Sequence, residues 1–174
     1  EIGIRTVFNI LGPMTNPAGA KYQVIGVFSP HLCEPMAKVL SNLGTERAMV
    51  FHGMDGLDEC STIGETFAAE LKDGKVTTRQ LTPQDLGCRP AAYEELVSGE
   101  TPAEHAETLM SILSGEKGPK RDIVVGNAAA ALYVAGKASD LTEGIVIAAE
   151  SIDSGAALAK LACLRKFTEG YREH

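Results

Sequence analysis

YQVIGVFSPHLCEPMAKVLSNLGTERAMVF, running from Tyr22 to Phe51, is the stretch that decides the fold. Tyr22 to Phe28 is β-branched and aromatic, a composition that suits a pleated, half-buried surface, and it predicts a strand. Ser29-Pro30 then offers a capping hydroxyl followed by a residue whose fixed φ and missing N–H suit the first helical position. Leu32, Met36, Val39, Leu40 and Leu43 share one face at helical spacing, and Gly44 ends the helix. Arg47 to Phe51 is apolar again and predicts a second strand. Strand, helix and strand in so short a span predict a βαβ unit with parallel strands, because a parallel pair needs a crossover connection.

Downstream, the second strand breaks into a glycine-rich loop. Within the segment Ala48 to Glu65, that loop clusters three carboxylates, Asp55, Asp58 and Glu59. An apolar strand that ends in a flexible acidic loop is how an α/β protein holds a metal or ligand at the C-terminal edge of its sheet. Adjacent carboxylates suit Mg²⁺, which takes hard oxygen ligands, keeps several waters and is commonly completed by substrate phosphates. A solvated acidic loop is the competing reading, since carboxylates mostly sit in water. Asp55, followed by Gly56, reads as turn chemistry. His52 closes the strand as a polar end residue or a ligand contact. Ser61, Thr62 and Gly64 offer hydroxyl and N–H groups to an anion, or a turn.

Further on, Thr66 to Leu71 and Val76 to Leu81 flank Lys72-Asp73-Gly74-Lys75, and an Asp-Gly pair between alternating runs predicts a β-hairpin. Thr82 to Asp85 reads as a short capped turn, and a short helix is expected around Glu94 to Val97. Thr101-Pro102-Ala103-Glu104 is a capping box that opens a helix to about Leu113. Arg121 to Ala138 predicts an apolar helix whose run of alanines at 128 to 131 implies close contact with a neighbour. Asn127 on that helix reads as a satisfied core polar group. Ser139 to Glu143 caps a last long helix, bending near Gly155 and running to about Phe167, with Leu141, Ile145, Ala148, Ile152, Leu158, Leu161 and Leu164 as its buried stripe.

Upstream, Gly12-Pro13-Met14-Thr15-Asn16-Pro17-Ala18-Gly19 cannot form regular structure, because its prolines lack donors and push the preceding residues toward extended geometry. It is either a connecting loop or a binding loop in which Gly12 admits a ligand close to the backbone.

The bulk properties exclude several classes. A net charge of −7 and a pI near 5.1 argue against a nucleic-acid partner, which needs a basic face. No run of apolar residues is long enough for a membrane span. The chain opens Glu-Ile-Gly-Ile-Arg, with neither Met nor a signal-peptide pattern, so we expect a start that is not a natural N-terminus. Cys33, Cys60, Cys88 and Cys163 lie too far apart for a zinc site or a small disulfide scaffold, and reduced cytoplasmic thiols are expected. No Ser/His/Asp or Cys/His set can be argued from spacing, so no catalytic residue is assigned. There is also no glycine-rich phosphate loop. Either the substrate lacks a phosphate, or its cradle lies outside these residues.

Arg5-Thr6-Val7-Phe8-Asn9-Ile10-Leu11-Gly12-Pro13-Met14-Thr15-Asn16-Pro17-Ala18 resembles the signature of the anthranilate phosphoribosyltransferase family. His52-Gly53 through Asp55-Gly56-Leu57-Asp58-Glu59 resembles that family's acidic loop. Asn127 to Tyr133 and Ala149 to Gly155 resemble its C-terminal helices, so the resemblance spans nearly the whole chain. It implies an α/β fold with a mainly parallel sheet, an antiparallel hairpin and flanking helices, as one partial catalytic domain over residues 1–174. It implies Mg²⁺ at Asp58 and Glu59, and an anthranilate pocket beside Gly12 and Pro13. Arg5 is not to be equated with the family's anthranilate-binding arginine, which lies before this motif. The family's N-terminal helical domain and its Gly-Thr-Gly-Gly-Asp loop, which binds phosphoribosyl pyrophosphate, are not in this sequence. The resemblance therefore implies half of a cytoplasmic, homodimeric enzyme that is inactive alone. A pyrimidine-nucleoside phosphorylase-like enzyme and a non-catalytic binding protein of the same superfamily are the alternatives.

Overall fold

The computed structural model describes Gly12 and residues 14–170. At its centre is a four-stranded sheet whose spatial order follows the chain: β1 (Tyr22–Gly26), β2 (Arg47–Gly53), β3 (Thr66–Lys72) and β4 (Lys75–Leu81). β1 and β2 are parallel, with Val24 opposite Met49 and Gly26 opposite Phe51. The expected crossover joins them through a 3-10 turn at Pro30–Leu32 and helix α1 (Cys33–Asn42). Pro30 opens that turn after Ser29, whose side chain makes no capping bond. Pro35 lies in the first turn of α1, where a missing N–H has no intrahelical acceptor to lose.

β3 pairs antiparallel with β2, and β4 antiparallel with β3. The sheet is therefore mixed, with its parallel part confined to β1 and β2. The reason is connectivity: the acidic segment after β2 contains no helix, so the chain can only double back beside β2. The β3–β4 hairpin turns on Asp73 and Gly74, with φ of 52° and 72°. Two successive positive φ values are what a type I′ turn requires, and this turn matches the twist of the strands it joins.

Past β4 come a 3-10 turn at Pro83–Leu86 and the helices α2 (Tyr93–Leu96), α3 (Pro102–Leu113), α4 (Pro119–Val134), α5 (Leu141–Asp153) and α6 (Ala156–Glu169). Thr82 with Asp85 and Thr101 with Glu104 form reciprocal capping boxes at the starts of the turn and of α3. β2 alternates between two apolar layers. Ala48 and Val50 face α1, packing with Met36, Ala37 and Leu40. Met49 and Phe51 face α4, packing with Ala130, Tyr133 and Val134. A third cluster joins α3, α4 and α5 through Ile112, Val125, Ala148 and Ile152.

The neighbour that the alanine run implied is α5. A Cβ on Gly144 would stand 2.8 Å from the Ala129 carbonyl oxygen, so the two helices meet nearly backbone to backbone. Three expectations about the helices need correction. α4 ends at Val134, not Ala138, because Gly136 and Lys137 turn their N–H groups back onto Tyr133 and Leu132. The last long helix is two helices, divided at Gly155, whose φ of 78° no helix continues through. Along α6 the expected buried stripe is not buried: Leu158 and Leu161 are half-covered and Leu164 is exposed, because no described element packs over that end.

Candidate functional site

The acidic loop hangs from the C-terminal ends of β1 and β2 and is built largely by its own hydrogen bonds. The Gly53 N–H donates to Leu57 O at 2.8 Å, and the Met54 N–H to Glu65 O at 2.8 Å, closing the loop at two levels. Asp55 is the turn residue expected. Its Oδ1 accepts from the Leu57 N–H at 3.0 Å, and its Oδ2 accepts from the Ser61 hydroxyl. Ser61 Oγ in turn accepts from the Ile63 N–H at 3.0 Å, and the Ser61 N–H donates to Thr66 Oγ1 at 2.8 Å. Asp55 and Ser61 are thus spent on shaping the loop. Thr62 Oγ1 is fully buried and has no hydrogen-bond partner among the described residues.

With Asp55 committed to the loop's own hydrogen bonds, Asp58 and Glu59 are left as exposed neighbouring carboxylates. Desolvation by the loop, and then the charge of Asp58, push the Glu59 carboxyl above its usual range. Two like charges side by side are an arrangement that a cation relieves. Among the described residues no group of three or more His, Cys, Asp or Glu could hold a metal. Two carboxylates would suit Mg²⁺ only with waters and ligand oxygens filling its remaining positions, and do not make a closed protein cage.

Two anchors fix the loop on the rest of the fold. On one side Asn127, from α4, holds Cys60 by both backbone groups: its Oδ1 accepts from the Cys60 N–H at 3.0 Å, and its Nδ2 donates to Cys60 O at 3.1 Å. The reading of Asn127 as a satisfied polar group is correct, and what satisfies it is the acidic loop. On the other side the Asp58 carbonyl lies directly over Gly26, where an added Cβ would fall 1.6 Å from the oxygen. His52 is buried, and its Nδ1 lies 2.7 Å from Val27 O, so it ties the two strand ends together. Cys60 is fully buried and its thiol is pushed up to about 11, chiefly by desolvation, so it is a packing residue and not a nucleophile.

Gly12, Thr15, Asn16 and Pro17 face Gln23, Val24, Ile25 and Gly26 across a cavity of about 690 Å³. Gly12 of the amino-terminal signature and the end of β1, on which the Asp58 carbonyl rests, therefore border one space. Pro13 and Arg5 lie outside the described residues. The sequence reasoning missed Gly26 and the β1 edge. A lone glycine inside a β-branched run signals close backbone approach, and that signal was available.

Residues 1–158 match the model of a glycosyl transferase family, a/b domain. The chain is 56% identical over 174 residues to an anthranilate phosphoribosyltransferase of Methanosarcina barkeri, covering 99% of this chain and 47% of the relative. It resembles the crystal structure of anthranilate phosphoribosyltransferase from Thermus thermophilus, with a TM-score of 0.81 and 45% identity over 90% of this chain and 46% of the other. The Saccharomyces cerevisiae enzyme in complex with phosphoribosyl pyrophosphate and Mg gives a TM-score of 0.79 at 32% identity, over 92% of this chain and 46% of the other. The chain spans about half the length of these relatives.

Proposed function

This chain belongs to the glycosyl transferase family through its a/b domain, and from that premise we propose that it is the metal-binding half of an anthranilate phosphoribosyltransferase. The observation that carries the reading is the shared space between Gly12 and the strand end under Asp58. It brings the two stretches singled out in the sequence, more than forty residues apart, to one strand edge. Residues 1–174 act as one partial catalytic domain of a cytoplasmic, homodimeric enzyme. The phosphate cradle comes from outside them.

In this reading Asp58 and Glu59 hold Mg²⁺ from one side, and Gly12 and Pro13 border the anthranilate pocket. Mg²⁺, when bound, neutralises charge on the leaving pyrophosphate. Displacing pyrophosphate from the ribose carbon by the anthranilate amine needs no protein nucleophile. The Ser61 hydroxyl, hydrogen-bonded to Asp55, serves to shape the loop. The chain's task is to place two carboxylates at a fixed distance from the β1 edge, and placement is worth several kcal/mol of a barrier.

The test is Asp58→Asn and Glu59→Gln in the complete polypeptide that carries this domain. Mg²⁺-dependent turnover should fall by at least the roughly tenfold that even outer-shell partners of a metal command. Unchanged Mg²⁺ dependence in both variants overturns the metal assignment. Turnover of anthranilate with phosphoribosyl pyrophosphate by residues 1–174 alone overturns the reading of this chain as half of the enzyme.

A further inference from the structure

We propose that the end of β1 is the seat of the acidic loop, with Gly26 as the positioning residue that sets where Asp58 and Glu59 stand. The geometry admits little else at position 26. A Cβ there would lie 1.6 Å from Asp58 O and 2.5 Å from Asp58 C. Ordinary non-bonded contact is nearer 3.5 Å, so one of the two segments must move by roughly 1.5–2 Å. The obstacle is backbone, which cannot rotate aside as a side chain can.

The loop yields, because the strand end is tied directly to β2. Gly26 is in register with Phe51. The next residue, Val27, donates its N–H to Phe51 O at 2.9 Å, and its carbonyl is bound by His52 Nδ1 at 2.7 Å. The loop itself is pinned on both sides of Asp58, by the Gly53–Leu57 bond before it and by the Asn127 clamp on Cys60 after it. A side chain at position 26 therefore displaces the short stretch between the pins, which is the carboxylate pair. His52 and Gly26 work on opposite faces of the same strand end: Val27 joins the α1-facing layer, while Val24, two residues before Gly26, packs in the α4-facing one.

The metal consequence of this seat rests on the proposed function; the seat itself does not. Mg²⁺ needs oxygens at 2.0–2.1 Å in near-octahedral array, so a displacement that bends the stretch and changes how the two carboxylates stand to each other removes a ligand instead of merely weakening it. The experiment is an amide NMR comparison of the 174-residue chain and its Gly26→Ala variant, with Mn²⁺ as a paramagnetic probe. In the parent chain Mn²⁺ broadens the Asp58 and Glu59 amides. In Gly26→Ala the amides of Leu57 to Cys60 shift, those of Ala48 to Val50 stay, and the Mn²⁺ needed for the same broadening rises at least tenfold. A folded Gly26→Ala chain with unmoved Asp58 and Glu59 amides overturns the seat. Without Mn²⁺ broadening in the parent chain the seat is decided by the shifts alone, and the metal reading by the Asp58→Asn and Glu59→Gln turnover. Should Gly26→Ala fail to fold, His52→Leu, which has no donor for the Val27 carbonyl, must move the same loop amides; unmoved amides overturn the proposal.

Discussion

Asn127 on α4 grips Cys60 by its N–H and its carbonyl at once, at 3.0 and 3.1 Å, and its Nδ2 also donates to Ile123 O at 2.9 Å. A side-chain amide is uncharged at any ordinary pH and has a donor and an acceptor spaced to do this. Asn127→Ala leaves both backbone groups of the buried Cys60 unpaired, which should destabilise the chain by about 1–3 kcal/mol. Asn127→Asp keeps the acceptor but sets a carboxylate against two carbonyls, and should be the worse of the two at neutral pH. Urea denaturation gives the order. Hydrogen exchange should show the Cys60 amide losing protection before β2 does, and equal protection in both variants would sink the clamp.

The contact between Gly144 and Ala129 sets propensity against packing. In an exposed helix Gly→Ala stabilises by about 1 kcal/mol. At Gly144 the new methyl would meet Ala129 at 2.8 Å from O and 3.1 Å from Cβ. Overpacking of that kind costs about 1–3 kcal/mol. Gly144→Ala should therefore lower the melting temperature, while a gain would mean that α4 and α5 can separate without loss.

In the hairpin turn, Gly74→Ala keeps the fold but puts a Cβ in the left-handed region, at φ 72°. The expected loss is about 1–2 kcal/mol. Asp73→Asn, at φ 52°, should be close to neutral, since Asn tolerates that region as readily. The two denaturation midpoints, measured side by side, test the turn type.

Glu95 gives a pH prediction. Hydrogen bonding first to Arg89 and then to the Ala92 N–H lowers its carboxyl from 4.5 to about 2. A carboxylate depressed in the folded state adds stability above its unfolded value, and that stability is lost as pH falls from about 4.5 through about 2. The pair is at the surface, so its contribution is small and weakens with salt. Carbon-detected NMR titration should place the Glu95 midpoint near 2, and Arg89→Ala should move it up toward the ordinary glutamate range. An unmoved midpoint removes Arg89 as the cause.

Much of this architecture was legible in local chemistry. The βαβ unit, the Asp-Gly hairpin and the capping boxes at Thr82 and Thr101 depend on neighbours within a few residues, and all four are present. The acidic loop was legible as a candidate because Asp58 and Glu59 follow an apolar strand. The stripe along α6 misled because periodicity shows that one face is apolar, not that something covers it. Leu164 and Phe167 are 56% and 64% exposed.

The sequence by itself determined the strands, most of the helices and turns, and which residues carry charge at the sheet's edge, because those follow from backbone sterics and short-range patterning. It could not assign partners across long separations. That Asn127 would hold Cys60, sixty-seven residues away, that Gly144 would rest on Ala129, and that Asp58 would sit on Gly26 were decided only by the packed structure. Each of these is a close approach of backbone to backbone or amide to backbone. Such contacts exist only once the apolar layers on both faces of the sheet have fixed how far apart the elements stand.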